Sequence, residues 1–127
     1  MEIKLNKELQ KKLDAFLESK DIKLHKLLEI LNLKEFTFSE EEINQIEEIY
    51  KKKQDLYEYV YIGEAVIKIL GGFWSIGKFK RDSAYKKPII LGRKGEEGSP
   101  RIYPASWLYY IRINELGKPL GCFIYSL

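Results

Sequence analysis

The spacing of the apolar residues changes at Gly71-Gly72, and that change limits what the chain can fold into more than any other feature. Before it, leucines and isoleucines recur at three- and four-residue intervals, the period of an amphipathic helix. After it, short aromatic and β-branched runs lie between turn residues, the pattern of strands. Glycine reaches the left-handed conformation that ends a helix, so the pair is a natural stop. The expectation is an α+β fold, with helices across about residues 5–70, a small antiparallel sheet from about 73 to 92 and a helix beginning at Pro104.

Within the helical half, Leu5, Leu9, Leu13, Phe16 and Leu17 share one stripe, and Leu24, Leu27, Leu28 and Leu31 repeat it after Ser19-Lys20-Asp21. This predicts two helices broken at that tripeptide, Asp21 capping the second, and hence a helical hairpin. Ser39-Glu40-Glu41-Glu42 has the S-x-x-E spacing of a capping box, and its carboxylates lie where the positive end of the helix dipole favours them. The apolar run from Ile43 to Leu70 is long for one helix, so a division near Lys52-Lys53-Gln54 or a kink at Gly63 is expected.

In the carboxyl half, residues 73–79 and 87–92 read as two strands joined by the polar segment 80–86. Pro104 suits the first turn of a helix whose apolar face is Trp107, Leu108, Ile111 and Leu116, ended by Gly117. The tail Leu120-Gly121-Cys122-Phe123-Ile124-Tyr125 predicts a further strand. Trp74 and Trp107 are assigned to a shared core, with Gly71, Gly72 and Pro104 shaping the backbone around them. No repeat or flexible linker divides the chain, so residues 1–127 read as a single domain.

The residues available for catalysis are few. There is one histidine and one cysteine, which leaves no internal disulfide and no cysteine-based zinc site. His25 lies in a charged helical stretch and reads as a solvated side chain, while Cys122, beside Phe123-Ile124, reads as a small buried hydrophobe. Glu40, Glu41 and Glu42 are explained by capping, and a carboxylate pair built on Glu64 or Asp82 has no local signature. Gly92-Arg93-Lys94-Gly95 matches no phosphate-binding loop. The expectation is a non-enzymatic protein without catalytic residue, metal or cofactor. The charged amino terminus does not read as a signal peptide and no segment reads as a membrane span, which predicts a cytoplasmic protein without membrane contact.

Charge is distributed unevenly: residues 1–62 carry a net −3 and residues 63–127 a net +6. The basic excess concentrates in Lys78, Lys80, Arg81, Lys86, Lys87, Arg93, Lys94 and Arg101, interleaved with aromatic rings. Such a face suits an acidic protein partner, or alternatively nucleic acid, and the same cations also serve solubility.

Gly63-Glu64, Gly71-Gly72-x-Trp74, Tyr85-x-x-Pro88-x-Ile90 and Pro104-x-x-Trp107 together give the stretch 56–113 a pattern that resembles a loose group of small bacterial proteins of unassigned or immunity-type function. The resemblance implies a compact α+β scaffold that neutralises a toxin through a protein–protein interface, with no inherited catalytic residues. This chain departs from the pattern at one step, carrying Tyr85-Lys86 where tyrosine-glycine is usual.

Overall fold

The protein is described by a computed structural model that covers residues 5–53, 57–96 and 98–127. Three helices come first, α1 (Lys7–Leu31), α2 (Glu40–Lys53) and α3 (Glu58–Leu70). Strands β1 (Phe73–Ile76) and β2 (Pro88–Leu91) follow, and then a single 3-10 turn (Arg93–Gly95). Two short helices, α4 (Pro104–Arg112) and α5 (Leu120–Tyr125), complete the chain. The architecture is α+β, as the switch in apolar period predicts. At its centre is α3, where Val60, Tyr61, Ile62, Ala65 and Val66 are fully buried.

The expected break at Ser19-Lys20-Asp21 does not occur, and α1 runs through it for 25 residues. Nothing in the tripeptide forbids a helix. The Ser19 hydroxyl donates back to the Phe16 carbonyl at 3.0 Å instead of capping a new start, and Lys20 reaches Glu64 on α3 at 2.9 Å. The expected hairpin is therefore absent, and α1 packs against β1 and α3 instead. Asn6 caps the start of α1 by accepting from the Leu9 amide, and Asn32, at φ 57°, ends it.

The capping box at the start of α2 is present in half. Ser39 Oγ accepts from the Glu42 amide at 3.1 Å, but the Glu42 carboxylate reaches past Ser39. It accepts instead from the Thr37 and Phe38 amides, both at 3.0 Å, from the Thr37 hydroxyl at 3.2 Å and from the Tyr61 hydroxyl at 2.8 Å. Phe36 and Phe38 close over the Tyr61 ring at centroid distances of 4.9 and 5.3 Å. One buried carboxylate thus ties the α1–α2 loop, α2 and α3 together.

In the long apolar run α2 ends at Lys53 and α3 begins at Glu58, on either side of the expected division, of which Gln54 lies outside the described residues, whereas α3 runs unbroken through Gly63. Its role is spatial. A methyl group there would overlap the six-membered ring of Trp74, which is only 7% exposed and meets the Phe16 ring edge-on at 4.7 Å. Gly71 takes φ 78° and ends α3. Gly72 takes φ 111° and must lack a side chain, because a Cβ would lie 2.6 Å from the Leu91 carbonyl oxygen. The chain therefore turns from helix straight into strand with β2 already alongside.

The two strands pair antiparallel in the register Phe73 with Leu91, Trp74 with Ile90, Ser75 with Ile89 and Ile76 with Pro88. Ile90 also exchanges both backbone hydrogen bonds with Ile102, at 2.8 and 2.9 Å, so the segment before α4 extends the sheet by one residue pair. Pro104 does begin α4, but the helix ends at Arg112 and leaves Leu116 and Gly117 outside it. Asn114, at φ 58°, takes the left-handed terminal position first. Trp107 is half-buried at the margin of the core against Phe123, and Cys122 is likewise half-buried.

The tail is a helix, contrary to the expected strand. Asn44 Oδ1 accepts from the Gly121 amide at 2.7 Å and Glu47 Oε1 from the Leu120 amide at 3.1 Å, so α2 supplies the caps for α5. Leu120 and Ile124, four apart, then bury the same face. Here tertiary contacts override local β-propensity.

Two outcomes follow. Gly63→Ala should lower stability by about 1–3 kcal/mol through overpacking, read as a lower urea midpoint at unchanged slope. Burial, and next the hydrogen bond to Glu42, push the Tyr61 phenol far above its ordinary value of 10.0. The fold favours the neutral phenol, so this contribution is complete below about pH 10 and declines as pH rises beyond it. Tyr61→Phe should cost about 1–3 kcal/mol at neutral pH and flatten the alkaline decline, measured by denaturation between pH 8 and 11 (roughly the window set by the phenol).

Candidate functional site

The predicted basic segment lies largely on the connection between β1 and β2, and the structure sorts its eight cations into three kinds. The backbone of that connection is closely hydrogen-bonded. Gly77 accepts from the Lys86 amide at 2.8 Å and donates to the Lys87 carbonyl at 3.0 Å. Inside this closure the amides of Asp82, Tyr85 and Lys87 donate to the carbonyls of Phe79, Asp82 and Ala84. Asp82 Oδ1 accepts from the Ala84 amide at 3.1 Å, an Asx turn that stiffens the bend, and Ala84 is fully buried beneath it.

Two of the cations hold this turn in place. Arg101 grips Asp82 with both Nε, at 2.6 Å, and Nη2, at 2.5 Å, the paired geometry that guanidinium and carboxylate favour. Lys86 Nζ lies 2.8 Å from Glu8 and so pins the turn to the first turn of α1. Lys86 sits at φ 63°, a conformation that glycine favours.

Two more cations are partly withdrawn from solvent. Lys78 is half-buried, with Nζ lying over the Phe79 ring at 5.1 Å, and Arg93 is half-buried in the 3-10 turn. The remaining four, Lys80, Arg81, Lys87 and Lys94, are exposed, and among the described residues none of them enters an ion pair. Lys80 and Arg81 directly follow Phe79, which is 62% exposed. Half of the eight cations assigned to the basic face are therefore exposed. The outer part of the turn is an uncovered aromatic ring flanked by solvated positive charge.

The two carboxylates considered for pair catalysis both have cationic partners. Glu64 takes Lys20, and the Asp21 carboxylate lies 3.1 Å from the same ammonium. Burial opposes charging Lys20, but its hydrogen bonds to Glu64 and Asp21 outweigh that and raise its pKa. His25 is exposed and faces Glu29 at 3.3 Å. Among the described residues no group of three or more histidine, cysteine or acidic side chains is arranged to hold a metal ion, and no helix is long and apolar enough to cross a membrane.

Sequence reasoning missed three participants. Phe79 read as a strand residue, although its position between Lys78 and Lys80 at the end of an apolar run is a readable sign of a turn. Glu8 carries no local signal, because its partner lies 78 positions away. Asp82 read only as half of a carboxylate pair, and its partner Arg101 lies 19 positions away. Compared with known protein families, curated proteins and solved structures, the chain has no match.

Hydrogen bonding from Arg101 holds the Asp82 carboxyl below its ordinary 3.8, against a smaller opposing effect of burial. The ion pair therefore supports the turn above that pH and is lost as pH falls through the lowered value. Asp82→Asn should loosen residues 80–84 at neutral pH. The expected reading is lower heteronuclear NOE values confined to that turn, while α3 is unaltered. Unchanged values across residues 80–84 would show that the bridge does not order the turn.

Proposed function

We propose that this protein is a non-enzymatic binding module of the immunity type, which recognises an acidic protein surface through the turn between β1 and β2. The observation that carries this reading is the exposed Phe79 ring beside Lys80 and Arg81, on a turn fixed by Asp82–Arg101 and Glu8–Lys86. A large aromatic group left in water on an ordered turn has little structural value, whereas aromatic and arginine anchors dominate binding energy at protein interfaces. Exposed cations around such an anchor speed encounter with an acidic partner. Little ordering entropy remains to be lost on binding, because the turn's backbone is already hydrogen-bonded. The resemblance of residues 56–113 to immunity-type proteins points the same way, toward neutralisation of a toxin by steric or electrostatic capture.

Nucleic acid is the second reading, since an aromatic ring between cations is also a stacking platform. The modest number of exposed cations on the turn favours a protein partner.

The test is co-expression with the products of the adjacent genes, followed by binding kinetics on any complex recovered. The account expects association to slow severalfold between about 50 and 300 mM salt. It also expects the triple variant Lys80→Glu, Arg81→Glu, Lys87→Glu to bind at least tenfold more weakly with its thermal midpoint unchanged. A variant that binds at the wild-type rate and affinity would remove this surface from the reading. Steeply salt-dependent binding of 20-mer DNA or RNA, in the absence of any protein complex, would replace it with the nucleic-acid reading.

A further inference from the structure

A cleft of about 540 Å³ opens where the carboxyl end of α4 and the loop into α5 meet α2. That is within the usual range for small-molecule sites, about 300–1,000 Å³. Its lining divides by chemistry. Ile111, Leu116 and Pro119 supply an apolar wall, Asn44 and Asn114 supply amides, and Lys51 and Lys118 bring positive charge. Both lysines are exposed.

The remaining wall carries two carboxylates, Glu48, which is exposed, and Glu47, which is only 6% exposed. Glu47 Oε1 accepts from the Leu120 amide at 3.1 Å and so caps α5. Capping accounts for one oxygen only. Among the described residues Oε2 takes no hydrogen bond, and no cation lies within ion-pair distance of the carboxylate. Neither lysine of the cleft reaches Glu47: Lys51 Nζ lies 3.3 Å from Oε1 of Glu48, which also lines the cleft, and Lys118 Nζ lies 3.4 Å from the Ser126 hydroxyl.

A buried carboxylate normally has a charged or multiply hydrogen-bonded partner, as Glu42 does. Glu47 Oε2 has no such partner among the described residues and keeps some contact with solvent, on a residue that lines a cleft large enough to admit a partner. Its orientation is fixed in advance, because the bond to Leu120 and the neighbouring Asn44–Gly121 bond lock both side chains to the start of α5.

We propose that the cleft binds a small amino-acid-like zwitterion, with its ammonium group on Glu47 and Asn44, its stem along Ile111 and Leu116, and its carboxylate toward Lys118. Glu48 offsets Lys51, which leaves Lys118 as the lining cation without a carboxylate partner among the described residues and Glu47 as the lining carboxylate without a cation. A molecule carrying both charges satisfies both.

The test is a titration of the full chain, followed by amide NMR spectra, with glycine, β-alanine, 4-aminobutyrate, 6-aminohexanoate and lysine, each to about 10 mM, where even millimolar binding is visible. Butylamine and butyrate serve as single-charge controls. At least one zwitterion is expected to shift the amides of Glu47, Gly117, Lys118 and Gly121 saturably, and the chain length that binds best reports the spacing of the two charges. Glu47→Gln should weaken that ligand at least tenfold. Lys118→Ala, at an exposed position outside any helix, should weaken it severalfold while leaving the thermal midpoint unchanged. The proposal is overturned if no zwitterion shifts these amides, if butylamine binds as well as the best zwitterion, or if Lys118→Ala binds as wild type.

Discussion

The indole of Trp74 occupies space that exists only because residue 63 has no side chain, and the placement of the sheet against the helices depends on that contact. Gly63 lies in the middle of α3, the most buried helix, and Phe16 of α1 meets the same indole edge-on. The first strand is thereby seated between two helices that are themselves joined by Lys20 and Glu64. Trp74 pairs with Ile90, and Ile90 pairs in turn with Ile102. Fixing one ring therefore fixes β2 and the approach to α4. The turn that carries Phe79 projects from this anchored hairpin, so its position relative to the helices follows from packing in the core and from the two ion pairs at its base.

Polar contacts complete what packing begins, and two buried glutamates show how differently the same side chain can be used. Glu42 accepts four hydrogen bonds from three residues and has become a joint between the α1–α2 loop and α3. Glu47, five residues later on the same helix, accepts one and lines a cleft. Their burial is almost equal, at 8% and 6% exposure, so solvent access does not separate them. The number of donors does, and this difference distinguishes a structural carboxylate from one with capacity left for a ligand.

Features set by neighbouring residues were legible in the sequence. The end of α3 at Gly71-Gly72, the register-forming strands on either side of a polar turn, the start of α4 at Pro104 and the serine cap at Ser39 all rest on interactions spanning a few positions. Features set by distant residues were not. Ser19-Lys20-Asp21 has the composition of a break, but Lys20 is engaged by Glu64, 44 positions on, and the helix continues. The tail has strand-like residues, yet Asn44 and Glu47, more than 70 positions earlier, cap it as a helix. The same limit governs the site. A run of lysines and arginines shows where positive charge accumulates, whereas Asp82 and Glu8 determine which of those cations stay exposed. The zwitterion cleft is assembled entirely from separated segments and left no pattern to read.

The hairpin is part of the folding unit rather than an appendage, because Trp74 packs into the core beside Gly63 and Phe16, and its turn is thereby presented in one orientation. Native-state hydrogen exchange tests this directly, because amides that open only by global unfolding share one free energy. The account predicts that the amides of Ile90, Ile102 and Lys86 exchange with the same free energy and the same denaturant slope as those of Ile62 and Val66 in α3. Hairpin amides that exchange several kcal/mol more easily, with little dependence on denaturant, would show that the sheet opens on its own and would contradict it.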